Sequence, residues 1–404
     1  MSNLPKGWEE VKLGDFCDIL DNQRIPISSE KRAEIKGNIP YYGANGVQDY
    51  INDFIFNETL VLLAEDGGNF NDYQTRPIAY MIHGKSWVNN HTHVLRAKNG
   101  ENYFLFYSLV HKDITSFING GTRTKLNRGE LVKIPIFVPP LEEQKKIADI
   151  LSTVDKKIAF VEENINATEE LKKGLMQKLL TEGIGHTEFK DSELGKVPSS
   201  WKVVKLVEAI SIMTDYVANG SFASLAENVN VYDEPNYAIY VRLFDLRKGL
   251  GHSDQKYVDE QSYKFLSKSN LEGREILIAN IGANVGETFL MPDINKPATL
   301  APNMIEVKVD QEKLISEFLY FYLTGYIGLK ELEKVTEGSG QPKINKTKLK
   351  TINLPLPNLD EQSKIVEILS TVDKKIENLK EKKLFFEELK KGLMQKLLNG
   401  EVRV

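Results

Sequence analysis

The chain is poor in cysteine and has no long apolar run. Cys17 is its only cysteine among 404 residues, and by itself it can form neither an internal disulfide nor a zinc site. No segment approaches the roughly 18 apolar residues of a membrane-spanning helix. The first residues, MSNLPKGWEEVKLG, show no basic region followed by an apolar core, as a secretory signal would. A cytoplasmic protein is the simplest interpretation.

The signatures of common nucleotide-dependent enzymes are missing as well. The chain contains neither Gly-x4-Gly-Lys-Ser/Thr nor Gly-x-Gly-x-x-Gly. It also lacks the Asn/Asp-Pro-Pro-aromatic element of DNA amino-methyltransferases. A possible metal pair, His91-Thr-His93, has no cluster of further ligands beside it in the sequence, so ordinary loop histidines are favoured. These absences predict a non-catalytic protein without a metal site.

A marked basic excess is absent too. Lys and Arg number 52 against 57 Asp and Glu, for a net charge of −5. An autonomous nucleic-acid binder usually carries a strong positive excess. Any DNA contact must therefore rely on local basic surface, or on a partner that supplies much of the backbone affinity.

What the chain does have is a long internal repeat. Residues Leu141–Leu180 recur as Leu359–Leu398, 218 positions later, and 27 of the 40 aligned positions are identical. Such a repeat dominates the architecture. It predicts two half-molecules, each consisting of a variable globular part followed by a near-constant helix.

Both copies have the apolar spacing of a coiled-coil helix. In the first copy the apolar positions alternate by four and three from Ile147 to Leu179, with Thr168 and Lys172 interrupting the seam. An isolated helix with one apolar stripe is poorly stable in water, so we expect the two copies to pair. Because a short polar linker, Thr181–Ser200, joins the first helix to the second globular part, an antiparallel pair is favoured. The globular parts would then lie at opposite ends of the pair, related by a twofold axis.

The helices also share residues that a seam does not need. Their identity extends to positions that we expect to be exposed, and to a mid-helix glycine in each copy, which costs up to about 1 kcal/mol relative to alanine. A plain dimerisation or scaffold coiled coil would explain the seam alone. Shared surface residues instead favour two equal docking surfaces for two identical partners, on the candidates Lys156, Lys157, Glu169, Glu170, Gly174, Gln177, Lys374, Lys375, Glu387, Glu388, Gly392 and Gln395.

The globular parts share a plan but differ in content. Both open with Trp-x-x-Val-Lys-Leu, at Trp8 and at Trp201, and the second part is 25 residues longer. VLLAEDGG (61–68) and ILIANIGA (276–283) predict an apolar strand that enters a glycine-containing turn. Aromatic runs at 104–109 and 318–323 predict core helices.

On these features the chain resembles, over essentially its full length, the specificity subunits of type I restriction–modification systems. The most specific segment is PPLEEQKKIADILSTVDKKI (139–158), repeated as LPNLDEQSKIVEILSTVDKKI (356–376). Four further segments are similar to segments common in the recognition domains of this family: IPYYGANGVQDYI (39–51), WVNNHTHVL (87–95), YVRLFDLRKG (240–249) and GREILIANIGANVGE (273–287).

The resemblance implies an α+β fold in which two mixed α/β target-recognition domains are separated by two long antiparallel coiled-coil helices. We place the first recognition domain at 1–140, the central helix at 141–182, a linker at 183–200, the second recognition domain at 201–358 and the C-terminal helix at 359–400. Each recognition domain would read one half of an interrupted site in double-stranded DNA. The helices would set the spacer and bind two methyltransferase subunits, and restriction/translocase subunits could join. S-adenosylmethionine, ATP and Mg are then expected on those partners, with no cofactor in this chain.

The candidates for DNA contact are basic clusters and groove-reading side chains. Basic residues after a glycine-bearing turn precede each helix, and Arg, Lys, Asn and Gln suit phosphates and base edges. A solvated charged loop or a turn-forming asparagine remains the structural alternative at each position. The candidates are Tyr42, Asn45, Asn89, Asn90, His91, His93, Thr122, Arg123, Lys125, Arg128, Arg242, Arg247, Asn280, Asn284, Gln341, Lys343, Lys346 and Lys348.

Two other functions stay open from the sequence. A coiled-coil scaffold without DNA recognition is compatible with the acidic balance. A nuclease is less favoured, because Glu142-Glu143-x-x-Lys146 and Asp360-Glu361-x-x-Lys364 place acids in a first helical turn, where the helix dipole favours them anyway.

Overall fold

The computed structural model of the chain describes residues 4–120 and 124–404, and its contacts divide the chain into two compact units. The first unit is Met1–Glu163 with Leu379–Val404, and the second is Asn164–Asn378. Each long helix therefore contributes one part to each unit. Among the described residues no helix is both long and apolar enough to cross a membrane.

The globular part of the first unit is built from two four-stranded sheets and a short strand pair. The sheets have the orders β2-β9-β6-β7 and β4-β3-β8-β5, and β1 pairs with β10. The strands are β1 (Glu9–Lys12), β2 (Cys17–Ile19), β3 (Lys36–Gly43), β4 (Gly46–Ile51), β5 (Phe56–Asn57), β6 (Leu60–Ala64), β7 (Ala79–Ile82), β8 (Lys85–Val88), β9 (Thr92–Ala97) and β10 (Pro135–Val138). The helices are α1 (Leu13–Phe16), α2 (Ser29–Glu34), α3 (Asn102–Leu109), α4 (Arg128–Leu131) and the long α5 (Leu141–Leu179).

The second unit repeats this plan. Its sheets have the orders β14-β22-β19-β20 and β15-β17-β16-β21-β18, and β13 pairs with β23 as β1 does with β10. The strands are β11 (Phe189–Ser192), β12 (Gly195–Pro198), β13 (Lys202–Lys205), β14 (Ile210–Asp215), β15 (Val231–Tyr232), β16 (Ala238–Val241), β17 (Lys256–Val258), β18 (Asn270–Leu271), β19 (Ile276–Ala279), β20 (Thr288–Leu290), β21 (Ala298–Leu300), β22 (Met304–Val309) and β23 (Asn353–Leu356). The helices are α6 (Phe222–Asn228), α7 (Leu243–Lys248), α8 (Glu260–Phe265), α9 (Ser316–Thr324), α10 (Tyr326–Val335), α11 (Lys346–Leu349) and the long α12 (Leu359–Leu398).

The apolar runs form the elements that the sequence predicted. All five residues of β6 and all four of β19 are buried, because each strand is central in its sheet and apolar on both faces. The aromatic runs lie in α3 and α9, where Phe104 and Phe318 are fully buried. Burying such a ring contributes about 1.5–3 kcal/mol.

A large part of the extra length of the second part forms one inserted segment. In the first part, β3 turns directly into β4 through Ala44 and Asn45. In the second part, the equivalent strands β16 and β17 are connected by 242–255, which contains α7.

The long helices pack in opposite directions in both units. In the first unit Leu397, near the end of α12, shares a core with Ile147 and Leu151 at the start of α5. In the second unit Leu179, at the end of α5, shares a core with Ile365 and Leu369 at the start of α12. The antiparallel pairing and the predicted fold class are confirmed.

The segment after α5 is more ordered than its polar composition indicates. Strands β11 and β12 form an antiparallel hairpin in register from Phe189–Pro198 to Ser192–Gly195. Lys190 Nζ donates to the Ser199 and Trp201 carbonyls and ties this hairpin to the second globular part.

Candidate nucleic-acid interface and helix surfaces

Each globular part carries, just before its long helix, a loop that ends in a lysine and is followed by further basic residues. We name these the first basic loop (Asn119–Lys125) and the second basic loop (Glu337–Lys343). In the first, the Asn119 and Lys125 backbones exchange hydrogen bonds of 2.8 Å each; in the second, Glu337 and Lys343 do the same at 2.9 and 2.8 Å. Each loop has a glycine at its second position, Gly120 at φ 111° and Gly338 at φ 89°. Residues other than glycine rarely adopt this backbone conformation.

Both loops dock on the same place in their globular parts. The residue after each loop donates its backbone N–H to the turn that follows the central strand: Leu126 to the Glu65 carbonyl at 2.7 Å, and Ile344 to the Asn280 carbonyl at 2.9 Å. The loops are therefore equivalent in position, although their sequences differ. Two loops in equivalent positions with different sequences suit one task performed on two different targets.

The first basic loop is held by a buried polar network around His93. Its Nδ1 lies 2.6 Å from Asp21 Oδ2, and its Nε2 lies 2.8 Å from the Leu126 carbonyl. Glu65 accepts from Arg24 at 2.6 Å and pairs with Lys125 at 3.1 Å. Burial acts to raise the pKa of Asp21, but the hydrogen bond and charge of His93 outweigh it and lower that pKa.

The same cluster is the one candidate cation site among the described residues. Ligand atoms of Asp21, Glu65 and His93 lie within 4.8 Å of one another. However, Arg24 and Lys125 already bring two positive charges to Glu65. These charges oppose the binding of a further cation, so the group is better described as a clamp on the loop.

Among the predicted DNA-contacting residues of the first part, two lie in the interior. Asn89 is 4% exposed, donates to Gln48 and accepts from the His91 backbone. His93 is 1% exposed with both nitrogens bonded as described. Both residues were expected at the DNA-facing surface, but in this conformation neither presents its polar atoms there. Their hydrogen bonds instead hold the loops that carry other side chains.

The other candidates of the first part lie at or near the surface. Asn45 donates to the Gly67 carbonyl, and His91 pairs with Asp66 at 2.7 Å. Tyr42 is half-buried, and burial raises the pKa of its hydroxyl. The exposed candidates of this part include Asn90, Lys125 and Arg128. Thr122 and Arg123 lie outside the described residues.

In the second part, the structure pairs several candidates with acids. Lys346 lies 2.8 Å from Asp215, and Lys348 pairs with Glu337. Lys343 and Gln341, by contrast, are exposed, and Lys343 has no carboxylate within ion-pair distance among the described residues. Asn280 has a buried Oδ1 that finds no hydrogen-bond partner in the described part of the chain. Asn284 is exposed in the neighbouring turn.

The inserted segment places further cations beside this turn. Arg247 forms an ion pair with Glu287, and Arg242 donates twice to the buried Asp245. Phe244, which is 49% exposed, lies between Arg242 and Lys248, each 5.5 Å from its ring centre. An exposed ring flanked by cations is suited to contact with bases or backbone of a nucleic acid.

On the long helices, all twelve candidate docking residues are exposed. Gly174 and Gly392 have open space around them, since a methyl group at either would meet no atom within 4 Å. The close helix approach that we predicted for these glycines is therefore not made by the described part of this chain. It stays a prediction for a partner.

Lys172, which interrupts the seam of α5, and its counterpart Lys390 in α12 have matching partners in the two units. Lys390 lies 2.6 Å from Asp155 and over the Tyr107 ring; Lys172 lies 2.6 Å from Asp373 and over the Phe321 ring. Both pairs join α5 to α12 and both face the core helix of the local globular part. A lysine at a seam position costs stability but fixes register, which explains why the interruption occurs in both copies.

Residues that were not among the predicted site residues anchor the start of each helix. Trp8 Nε1 donates to Glu143 Oε2 at 3.2 Å, and Trp201 Nε1 donates to Glu361 Oε2 at 3.0 Å. The adjacent glutamines, Gln144 and Gln362, each donate to a proline carbonyl at 2.9 Å and accept from a backbone N–H. The recurring tryptophan and the matched acids could have indicated these anchors. The acids were instead attributed to the helix dipole, which does not require a tryptophan partner.

Comparison with known proteins agrees with this geometry. The profile of a family described as "Type I restriction modification DNA specificity domain" matches residues 5–170 and 198–385. The chain belongs to this family. A type I restriction enzyme specificity subunit of Methanocaldococcus jannaschii is 30% identical, over 99% of this chain and 94% of the relative. A putative one from Haemophilus influenzae is 27% identical, over 88% and 85%.

The solved structures add support for the fold. A type I restriction–modification S subunit from M. genitalium matches with a TM-score of 0.62 at 15% identity, over 98% of this chain and 97% of that one. The predicted resemblance is thus confirmed. The chain is a non-catalytic DNA target-recognition subunit, and the scaffold without DNA recognition is not favoured.

Proposed function

We propose that the chain reads an interrupted site in double-stranded DNA, with one globular part on each half-site. The observation that supports this most directly is the pair of basic loops, which dock identically on unlike globular parts. Lys and Arg of these loops would contact phosphates, while the exposed side chains Gln341, Asn284 and Asn90 would reach base edges. The cytoplasm stays the expected location.

The long helices would bind two methyltransferase subunits through equal surfaces. Their exposed faces carry the same lysines, glutamates and glutamine twice, together with an exposed leucine at matched positions, Leu171 and Leu389. Equal surfaces imply equal partners. S-adenosylmethionine, and ATP with Mg where restriction/translocase subunits join, would be bound by those partners and not by this chain.

The helices would also fix the number of unread base pairs between the half-sites. Such a spacer requires helices that pair at a defined register, which the Lys390–Asp155 pair in the first unit and the Lys172–Asp373 pair in the second unit support. Neither recognition domain would then slide along DNA independently of the other.

Gel-shift assays of the chain with and without a co-expressed methyltransferase test the proposal, together with sequencing of methylated motifs in cells. We expect sequence-specific binding by the complex and an interrupted methylated motif. Replacing residues 1–140 by those of another family member should change one half of the motif only. A scaffold predicts no specific binding in either assay, and a nuclease predicts cleavage by the chain alone.

A further inference from the structure

The two Trp–Glu anchors are each closed by a side chain from the segment that follows the other helix. At Glu143, on α5, that side chain is Arg403, which follows α12. At Glu361, on α12, it is His186, which follows α5. Each anchor thus joins three pieces of one unit: the opening strand of the globular part, the start of one helix, and the end of the other.

In the first unit Arg403 makes a two-pronged ion pair with a buried acid. Its Nε lies 2.7 Å from Glu143 Oε1 and its Nη2 lies 2.8 Å from Glu143 Oε2, while Nη1 donates to the Lys6 carbonyl at 3.0 Å. Glu143 is 5% exposed, and the Arg403 hydrogen bond is the leading cause that lowers its pKa. Gly400, at φ 73°, lies against Pro5 so closely that a Cβ there would be 2.5 Å from the proline Cγ.

In the second unit the corresponding connection is covalent. His186 Nε2 lies 2.7 Å from Glu361 Oε1, and the Ile184 N–H donates to the same oxygen at 3.0 Å. This segment then continues through the β11–β12 hairpin directly into Trp201. In the first unit, 260 positions separate Arg403 from Glu143, so the segment after α12 is attached to the opening strand by non-covalent contacts alone.

We propose that Arg403 is a positioning residue for DNA recognition: through Glu143 and the Lys6 carbonyl it fixes the first globular part on the helix pair, and so sets how strictly the spacer length is enforced. This inference rests on the proposed function of the helices as a spacer. Arginine suits the role because its planar fork binds both carboxylate oxygens and a third acceptor at once, which lysine cannot do. Without it, Trp8 would still hold Glu143 and Gly400 would still lie against Pro5, but the segment after α12 would lose its ion pair with Glu143 and its hydrogen bond to the Lys6 carbonyl.

The experiment measures initial methylation rates of the complex on duplexes with the native spacer and with spacers one base pair shorter and longer. The ratio of these rates does not depend on the fraction of protein that is folded, so a purely structural defect leaves it unchanged. We expect Arg403→Ala to reduce the discrimination between spacers about tenfold, which corresponds to about 1.4 kcal/mol. Arg403→Lys should recover part of it, and Glu143→Gln should resemble Arg403→Ala.

The matched control is His186→Ala, for which the covalent linker keeps the connection, so its ratio should stay within about twofold of that of the unaltered protein. If the unaltered protein discriminates spacers and Arg403→Ala does so equally, the inference is overturned while the proposed function stands. If the unaltered protein accepts all three spacers, the spacer function fails and this inference with it. Should Arg403→Ala not assemble, Arg403→Lys and Glu143→Gln decide the matter by the same ratio.

Discussion

The sharpest test of the DNA interface uses the unequal pairing of lysines around the second basic loop. Lys343 is exposed and has no carboxylate within 4 Å among the described residues, whereas Lys348 forms an ion pair with Glu337. A lysine without an acid partner can neutralise a phosphate and release a counterion. One that is already paired contributes little net charge.

We therefore expect Lys343→Met to lower the slope of log affinity against log salt by about 0.9, the value for one phosphate contact on B-DNA. Between 50 and 200 mM salt, one such contact changes affinity by roughly 3–4-fold. The loss should affect cognate and non-cognate duplexes equally, since phosphate contacts carry no sequence information. Fluorescence anisotropy of the methyltransferase complex over a salt series measures it.

The control is the double variant Glu337→Gln with Lys348→Met, which removes the neighbouring ion pair without changing net charge. Its salt slope should equal that of the unaltered protein, because the backbone pair between Glu337 and Lys343 keeps the loop closed. Equal slopes for Lys343→Met and the unaltered protein would refute the reasoning. So would a double variant that loses as much slope as Lys343→Met.

Three further predictions concern the core, the seam and the helices. Burial raises the pKa of Glu306 to about 8, above its value in the unfolded chain, so the second unit should lose stability as pH rises from about 5 to 8. Since one pKa unit corresponds to about 1.4 kcal/mol, Glu306→Gln should reduce the change in the free energy of unfolding across this range by up to about 4 kcal/mol. Denaturant unfolding at several pH values measures this change, and an unchanged pH profile would contradict the prediction. The half-buried pair Asp155–Lys390 should show a coupling energy of about 0.5–1.5 kcal/mol in a double-mutant cycle, and its counterpart Lys172–Asp373 should give a similar value; a coupling near zero in both would remove the register argument. Inserting four residues into both long helices adds about 6 Å of rise, so sequencing of methylated DNA should show a spacer longer by about two base pairs with unchanged half-sites, and an unchanged spacer with modification retained would argue against the helices as the spacer.

Local patterns were sufficient to predict the architecture. The repeat determined two half-molecules, and the apolar spacing predicted both long helices and their antiparallel pairing. The buried strand Leu60–Ala64 and the aromatic helix Asn102–Leu109 followed in the same way, because burial of a contiguous apolar run depends mainly on the run itself.

The site was less predictable because its bonds join distant parts of the chain. His93 was predicted to be a loop histidine that could contact DNA, yet it bonds Asp21 at a separation of 72 positions and lies in the interior. Glu143 resembles a helix-dipole residue, yet it bonds Trp8 135 positions away. The spacing of apolar residues in a sequence does not indicate which distant polar residues will bond to each other. The inserted helix α7 could not be predicted either, since its three apolar positions do not separate it from a strand or a loop.

The contacts around the two loops show where part of the acidic excess of the chain is used. Of the lysines near the basic loops, Lys125 pairs with Glu65, Lys346 with Asp215 and Lys348 with Glu337. Acids thus neutralise several of the cations that the sequence offers to DNA, and they hold the loops in shape by doing so. A recognition surface that is shaped but only weakly charged gains little from non-specific phosphate attraction. We therefore expect the surface around the loops to discriminate by fit, and the backbone affinity to come largely from the partner that would bind the helices.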